Sequence, residues 1–547
     1  MEEDNVTIKY FKLENVSING FTAFCKKNIP LIFAVSIALF FIYGIRLFWY
    51  SIGYDTDLFM EDKSEFLTMN TLSGRWGLTM LINIWYIKEF NPFAAFFVAF
   101  CLIWLFTISW CYIIAIFSGD TDRNNKLIPF ALVFITMPIW VDQFYFILQS
   151  AEIAFVITLC PFIIYFLYKG FLENQRGKII CAFVLLVFIF SVYQAMIPLF
   201  CCGVFLCFLL LMENTEYKPK IYWNLCLKLI ITAICAFAIY FIIFKIITTS
   251  FMGDRKVDYL NSFFMWGQMP VMENIRNLFK FVYVTTIGGI PLVQKLVAPY
   301  TYSEGTRNFM YYLQIAKVHG NSLLLPAVLF FYFKMTVFTF KAIPKGRRIL
   351  YFLAGICIPL TIILLTLTGG AEIPIRSVFS LPLAFAFMLY YLIVKYNRKI
   401  AVVIYGLALL IAINNAQIGA QLFFSDQMRY NEDVRLAYQL NDLILQAQPE
   451  NGKLPVAFIG RYKTSAEDNV NFLKGEIIGN TVFSWIWKFE TTKHCIAFMN
   501  SVGFYLDTPD ENSLKQAKEE ALSMPSYPDN GCVKRYNDCI IVKLSDY

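Results

Sequence analysis

The chain is poor in charge and almost without histidine. Only 16% of its 547 residues are charged, against about 25% in soluble domains, and 58% are hydrophobic. This balance excludes a soluble enzyme built around one core. The two histidines, His319 and His494, nearly exclude a site made from a cluster of imidazoles. The net charge of +7 comes from scattered lysines and arginines without a long basic run, which indicates membrane topology rather than nucleic-acid binding.

Several motifs of common enzymes are also missing. The sequence has no Gly-x-x-x-x-Gly-Lys-Ser/Thr nucleotide loop, no Gly-x-Ser-x-Gly elbow, and no His-Glu-x-x-His or paired Cys-x-x-Cys zinc pattern. Without a nucleotide loop, the energy for a reaction would come most simply from an activated, lipid-borne substrate. Most of the 14 cysteines lie in apolar runs, where Cys behaves as a small hydrophobe, although Cys532 and Cys539 could form a small disulfide loop.

Long apolar stretches dominate what is present. Runs of roughly 20 nearly uncharged residues are enough to cross a hydrocarbon core about 30 Å thick. We expect eleven spans, at about 28–50, 92–117, 127–147, 151–168, 179–212 (two), 229–247, 323–341, 349–368, 377–394 and 400–423. Lys26 and Lys27 precede the first span and predict a cytoplasmic N-terminus, which places the C-terminus outside.

The stretch 179–212 is ambiguous in length. Lysines and arginines flank it on both sides, so both flanks favour the cytoplasm and the stretch must cross an even number of times. Two short helices that meet near Tyr193, Gln194 and Pro198 fit this pattern. A single long tilted helix is the alternative.

The predicted fold is an all-α polytopic membrane protein with a small C-terminal extracytoplasmic α/β domain. Residues 1–424 form the multi-span domain, with outer loops at about 51–91 and 248–322, and residues 425–547 form the C-terminal domain. Each loop has a candidate interfacial helix, one carrying Leu78, Leu81, Ile82 and Trp85, the other near Val271–Val284 before the Gly288-Gly289 break. In the C-terminal domain we expect helices at Val434–Gln448 and Ser513–Ser523 and strands at Val456–Gly460 and Ile540–Leu544.

Acidic residues are concentrated at the start of the 51–91 loop. Asp55 and Asp57 follow the first span directly, and Glu61, Asp62 and Glu65 come next. Such residues are common beside a membrane. Two positions apart on an extended chain, however, Asp55 and Asp57 would point to the same face. The pair could then act as a general base or hold a divalent cation such as Mg or Mn.

Two arginines are candidates for phosphate recognition. Arg75 lies in Ser73-Gly74-Arg75-Trp76-Gly77, where it could anchor the chain at lipid headgroups or bind a lipid-linked phosphate through its guanidinium. Arg376 lies in a short outer turn, where it could pair with Glu372 or bind a phosphate beside the acidic pair. Both interpretations stay open for each arginine.

Three further polar residues are candidates for binding sugar or acceptor. Glu152 lies in or near a predicted span, where a charge costs about 2.5–3.5 kcal/mol on insertion scales and therefore usually faces a polar cavity. Tyr193 and Gln194 lie at the outer turn of the predicted helix pair. They either hydrogen-bond a sugar or simply pack.

Four short stretches follow one another along the chain and carry a family resemblance. They are Tyr54-Asp55-Thr56-Asp57 with Gly74-Arg75-Trp76, Ser191-Val192-Tyr193-Gln194-Ala195, the helix beginning at Asp433, and Ile477–Trp485 leading to Phe498-Met499 and Gly503-Phe504. Together they resemble the Gtr-type glucosyltransferases of serotype conversion, within the GT-C class of membrane glycosyltransferases that use polyprenyl-phosphate sugars. That family more often has adjacent acids, whereas Thr56 separates them here.

The resemblance implies transfer of a hexose, expected to be glucose, outside the cytoplasm of a bacterium. The donor would be undecaprenyl-phosphate glucose or a similar polyprenyl-phosphate sugar in the inner membrane, and the acceptor a surface glycan such as the O-antigen of lipopolysaccharide. Asp55 or Asp57 would take the acceptor proton, and Arg75 and Arg376 would stabilise the departing phosphate. A partner flippase and a donor-making synthase are implied, no nucleic acid is, and no cofactor is certain beyond an optional divalent cation.

Other functions compete with this interpretation. A lipid-linked glycan flippase or transporter would explain the spans, although no inverted repeat is evident. An O-antigen polymerase or ligase also fits a large outer loop with a phosphate-binding arginine. A membrane acyltransferase is disfavoured, because His319 and His494 have no evident acid partner in the sequence. A non-enzymatic structural role completes the alternatives.

Overall fold

The computed structural model is mainly helical with one small sheet. It describes residues 13–85, 91–122, 124–251, 265–288, 290, 314–370, 373–465, 469, 471–484 and 491–546. The helices are α1 (Ile18–Lys27), α2 (Ile29–Tyr43), α3 (Ile45–Phe48), α4 (Thr56–Glu61), α5 (Lys63–Leu72), α6 (Trp76–Trp85), α7 (Pro92–Ser118), α8 (Leu127–Thr136), α9 (Pro138–Phe144), α10 (Ile147–Glu173), α11 (Arg176–Val192), α12 (Met196–Asn214), α13 (Pro219–Phe251), α14 (Val271–Thr285), α15 (Leu324–Ala342), α16 (Arg348–Leu360), α17 (Leu364–Gly369), α18 (Ser380–Lys395), α19 (Arg398–Ala447), α20 (Thr491–Ser501) and α21 (Glu511–Ala521). The strands are β1 (Val456–Ile459), β2 (Val533–Tyr536) and β3 (Cys539–Lys543).

Helix α7 shows why the long apolar runs are helical with definite ends. Pro92 at its first turn has the backbone angle that a helix needs and lacks an N–H that would go unpaired. The Asn91 side chain accepts a hydrogen bond from the Ala94 N–H at 3.0 Å and so caps the start. Gly119 ends the helix with φ of +68°, in the left-handed region that favours glycine.

The number of spans differs from the sequence-based count. Seven helices among the described residues are long and apolar enough to cross a membrane, or up to nine if the bent pairs α1–α2 and α8–α9 each count as one. The count of eleven is therefore not supported. The two remaining predicted spans correspond to α11 and α18, which have only 17 and 16 residues. Both fall short of the roughly 20 residues that a straight crossing needs.

The broken-pair prediction for 179–212 is confirmed. Helix α11 ends at Val192 and helix α12 begins at Met196, with Tyr193 in an extended conformation between them. A single long helix through this stretch is therefore wrong. The break leaves the side chains of Tyr193 and Gln194 at a helix junction.

Helix α6 exists as predicted, but its apolar face is turned into the protein. Leu78, Leu81 and Ile82 are buried, and the helix packs against α10 and α11. The approach to α11 is close, because a Cβ on Gly77 would lie 2.1 Å from the Ser191 Oγ. These side chains therefore pack on protein, and the position of the helix in the membrane interface stays a prediction. The helix predicted near Val271–Val284 in the 248–322 loop is present as α14, whereas Gly289 lies outside the described residues.

The last long helix, α19, continues without a break into the C-terminal domain. Helix α19 runs for 50 residues, so the helix predicted at Val434–Gln448 is its continuation and not a separate element. The sheet order is β1-β3-β2, with β1 parallel and β2 antiparallel to β3. Strand β2 and helix α20 were not predicted. Cys532 and Cys539 are free thiols, so the candidate disulfide is not formed.

A buried ionic network joins α19 to the first loop. Arg429 pairs with Asp426 at 2.7 Å and with Asp433 at 2.9 Å, and its Nη1 also donates to the Ile52 carbonyl at 3.1 Å. Arg46 lies 3.7 Å from Asp426 on the other side. All four charged side chains are at most 5% exposed. The network therefore fixes the C-terminal domain against the start of the 51–91 loop.

Candidate active site

Asp55 and Asp57 occupy different backbone environments. Asp55 precedes α4 with φ of +69°, and Asp57 lies in the first turn of that helix. The extended geometry expected from the sequence is therefore wrong. Asp57 is 0% exposed, and its Oδ1 accepts a hydrogen bond from the Leu58 N–H at 2.9 Å. Asp55 is only partly buried.

Asp57 is paired with a histidine from the C-terminal domain. The Nδ1 atom of His494 on α20 lies 2.7 Å from the second carboxylate oxygen of Asp57, and both side chains are buried. The expectation that His494 lacks an acid partner is therefore wrong. The two residues are 437 positions apart, and no motif marks α20, so sequence spacing gave no signal for the pair.

The Asp55 carboxylate is available for chemistry. Among the described residues, no side chain or backbone group makes a hydrogen bond or ion pair with it. Burial raises the pKa of this carboxyl above its usual range, and the negative charge of Asp57 adds to the rise. The positive charges of His494, Arg376 and Arg75 oppose it. The acid and the two arginines that the sequence singled out are therefore close enough to interact electrostatically.

Arg75 is held by the break between α11 and α12. Its guanidinium carbon lies 4.6 Å from the centre of the Tyr193 ring, a cation–π geometry. Gln194 Nε2 donates to the Ser73 carbonyl at 2.8 Å and thereby fixes the turn that precedes Arg75. Tyr193 Oη is 3.1 Å from the Ser377 Oγ, next to Arg376. The amide donor of Gln194 is used within the protein, which favours its packing role over sugar binding.

Arg376 is paired with the C-terminal domain. Its Nη1 lies 2.7 Å from Glu476 Oε1, and its backbone N–H donates to Glu476 Oε2 at 3.3 Å. The guanidinium also lies 5.2 Å from the centre of the Phe146 ring. Burial raises the pKa of the Glu476 carboxyl, and the Arg376 charge opposes that rise. Glu372, the partner considered from sequence, lies outside the described residues.

A second acid–histidine pair lies behind Arg376. His319 Nε2 is 2.6 Å from Asp142 Oδ2, with both side chains buried, so His319 also has the acid partner that was not evident in the sequence. The backbone N–H of Glu476 donates to the same Asp142 oxygen at 3.4 Å. The pair thus supports the segment that presents Glu476 to Arg376.

Glu152 is a buried acid inside a helix. It lies in the second turn of α10 and is 0% exposed, and within the part of the chain that the structure describes neither carboxylate oxygen has a hydrogen-bonding partner. None of the contacts among the described residues joins it to Asp55 or to the two arginines. Its assignment to sugar or acceptor binding stays a prediction.

The other acidic residues of the 51–91 loop have structural contacts. Glu61 accepts from Asn500 Nδ2 at 3.0 Å, Glu65 pairs with Lys493, and Asp62 caps α5 by accepting from the Glu65 N–H. Among the described residues, no group of three His, Cys, Asp or Glu side chains is arranged to hold a metal ion. Both Asp57 oxygens are already engaged. Binding of a divalent cation beside Asp55 and Asp57 stays a prediction.

Fold and site together define a helical membrane protein that places a carboxylate in the field of two arginines. Residues 58–413 match the family described as glucosyl transferase GtrII. Because this match covers more than half of the chain, the protein belongs to the GtrII glucosyltransferase family. No match was found among curated proteins. The matched range contains both arginines, whereas Asp55 and Asp57 precede it and His494 follows it.

Proposed function

We propose that the protein transfers glucose from a polyprenyl-phosphate donor, such as undecaprenyl-phosphate glucose, to a hydroxyl of a surface glycan such as O-antigen. The reaction takes place at the extracytoplasmic face of the bacterial inner membrane, in a GT-C-type fold. The family assignment supports glucosyl transfer. The observation that carries the rest is the open Asp55 carboxylate in the field of Arg75 and Arg376.

Asp55 acts as the general base of the transfer. It accepts the proton of the acceptor hydroxyl as the hydroxyl oxygen attacks the anomeric carbon of glucose. The new carbon–oxygen bond forms while the bond from that carbon to the phosphate oxygen breaks, and the bonding electrons leave with the lipid phosphate. A raised pKa suits this role, because a base works best when its pKa approaches the operating pH.

The two arginines stabilise charge on the departing phosphate. A guanidinium is permanently charged and matches two phosphate oxygens at once. Tyr193 orients Arg75 through its ring face, and Glu476 orients Arg376 through an ion pair. Both cations are thus held in place before the substrate arrives, which lowers the cost of reorganisation during the reaction. Tyr193, Gln194 and Glu152 border the sugar and acceptor side in this proposal.

The remaining parts of the proposal concern the surroundings of the site. Helices α13 and α15 carry exposed apolar side chains such as Ile231, Ile242, Leu329 and Phe333, which face lipid and border the path of the prenyl tail. The N-terminus is cytoplasmic, and the C-terminal domain lies outside and helps to hold the glycan. A flippase and a donor-making synthase supply the lipid-linked sugar.

The test is a reconstituted transfer reaction with radiolabelled polyprenyl-phosphate glucose and an acceptor glycan. We expect a new glycosidic bond, and we expect Arg75→Gln and Arg376→Gln each to lower the rate about 10²–10³-fold, by loss of phosphate stabilisation. Arg435→Gln, a change of an exposed arginine on α19, is the matched control and should leave the rate unchanged. A chelator should also have no effect. Movement of labelled lipid between leaflets without a new bond would instead identify a flippase, and glycan-chain growth would identify a polymerase.

A further inference from the structure

A histidine from the C-terminal part of the chain, His494, contacts the acid pair Asp55 and Asp57 of the 51–91 loop through Asp57. Helix α20 docks on α4 and α5 through Asn500–Glu61 and Lys493–Glu65 contacts. At the centre of this contact the His494 ring meets Asp57, and the Tyr54 ring meets the His494 ring edge-on with centroids 5.5 Å apart. The Tyr54 hydroxyl donates to the Thr481 carbonyl, again in the C-terminal domain. The histidine is therefore held on several sides.

The geometry rules out direct contact between His494 and a substrate at Nδ1. That nitrogen is engaged by Asp57, and the side chain is about as buried as a core residue, at 1% exposure. Asp55, by contrast, is partly accessible. Through Nδ1 the ring therefore acts on Asp57, and Asp55 is the reactive neighbour on which the charge of His494 acts.

We propose that His494 is a positioning residue of the transfer site, which Asp57 orients and which keeps the neighbouring Asp55 ionised and ready to accept a proton. This inference rests on the proposed function. It also makes the C-terminal domain part of the site, since His494 lies beyond the range that matches the family. The role is electrostatic, because a protonated His494 places a positive charge beside two carboxylates that lie two positions apart, Asp57 buried and Asp55 partly exposed.

Several charged and titratable groups surround Asp55, and among the cations His494 is the one whose charge depends on pH. The groups that act on Asp55 are Asp57 from α4, Arg75 before α6, Arg376, and His494 from α20. The phenols of Tyr54 and Tyr145 lie next to these groups. Two carboxylates in one site cannot both ionise unless cations compensate them. Both arginines keep their charge at all relevant pH values, whereas histidine changes its charge near neutrality.

The test compares His494→Asn with the wild-type protein across pH. An asparagine amide can place a donor near the former Nδ1 and preserve the contact with Asp57, but it cannot carry a positive charge. We expect the acidic limb of kcat/KM to move to higher pH by about one unit, with activity lost below the limb and recovered above it. Lys515→Gln, a change of an exposed lysine on α21 in the same domain, is the matched control and should leave the limb in place.

A second readout does not depend on catalysis. The infrared band of the protonated Asp55 carboxyl is identified as the band that disappears in Asp55→Asn. The pH at which this band reaches half of its full intensity should be higher in His494→Asn than in the wild-type protein. An unchanged midpoint and an acidic limb that stays in place, with activity lowered equally at every pH, would overturn the inference. If thermal unfolding shows that His494→Asn does not fold, the same two measurements are made on His494→Gln, which also lacks the charge, with the same outcomes deciding. Failure of glucose transfer by the wild-type protein would instead overturn the proposed function.

Discussion

Asp55 and Asp57 show how two identical side chains acquire different roles within one turn of chain. One carboxylate oxygen of Asp57 accepts a hydrogen bond from the Leu58 N–H, and the other contacts the His494 ring, so Asp57 has a structural role. Asp55 has a left-handed backbone and partial exposure, and no described residue forms a hydrogen bond or ion pair with its carboxylate. The surroundings therefore select Asp55 as the proton acceptor, a choice that the Asp-x-Asp pattern left open.

The sequence singled out the charged side chains of the site but not their partners. Asp55, Asp57, Arg75 and Arg376 stood out because charges beside apolar runs are costly and conspicuous. The pairs His494–Asp57 and Arg376–Glu476 could not be predicted, because each joins residues that are distant in sequence and carry no local motif.

The raised pKa of Asp55 predicts the pH dependence of the reaction. Burial disfavours the charged form, so Asp55 is protonated at a higher pH than an exposed aspartate, whose pKa is about 3.9. The base must be ionised to work. The rate kcat/KM should therefore be constant at high pH and fall as the pH drops through the raised value. An acidic limb at the value of an exposed aspartate, measured in the reconstituted reaction, would contradict this assignment.

At the scale of elements, charge patterning predicted the helix break at Tyr193 but not what the break does. Basic flanks on both sides of 179–212 favoured two helices over one, and the structure has two, α11 and α12. The break also carries the contacts that hold the turn before Arg75. The apolar stripe of α6 has a similar limit as a predictor. Apolar side chains suit both lipid and a protein core, so the sequence alone could not reveal which of the two this stripe contacts.

Helix α19 links the membrane part to the C-terminal domain through the buried network around Arg429. Replacing Arg429 by Met leaves Asp426 and Asp433 without their cation, which should cost about 3–5 kcal/mol of stability. Arg435→Met on the exposed side of the same helix is the matched control and should change little. Thermal unfolding in detergent, together with limited proteolysis of the C-terminal domain, measures the effect. Equal stability of the two variants would show that the network does not hold the domain.

For the whole molecule, composition and apolar runs were enough to predict a helical membrane protein, and a family resemblance predicted the glucosyltransferase family. The count of spans was less predictable, since α11 and α18 are apolar yet short, and the bent pairs blur the distinction between one span and two. Two of the three strands of the C-terminal sheet, β1 and β3, were predicted. Strand β2 is short and mixed in burial, so it carries no clear alternating pattern.

The proposed orientation gives a prediction for the whole chain. In intact spheroplasts, a membrane-impermeant maleimide should label a cysteine placed at Lys453 in the C-terminal domain, since this exposed position faces outward in the proposal. A cysteine at Lys345, in the turn between α15 and α16, should react only after permeabilisation. The reverse pattern would invert the topology and move the site to the cytoplasmic face.

The most direct test of the account is the rate of glucose transfer by Asp55→Asn in the reconstituted system. The amide keeps the shape of the side chain but cannot accept the acceptor proton, so we predict a fall in kcat/KM of about 10²–10⁴-fold. Asp442→Asn, the same change at an exposed position of α19, should stay within about twofold of the wild type. A folded Asp55→Asn protein that transfers glucose at the wild-type rate would contradict the central claim.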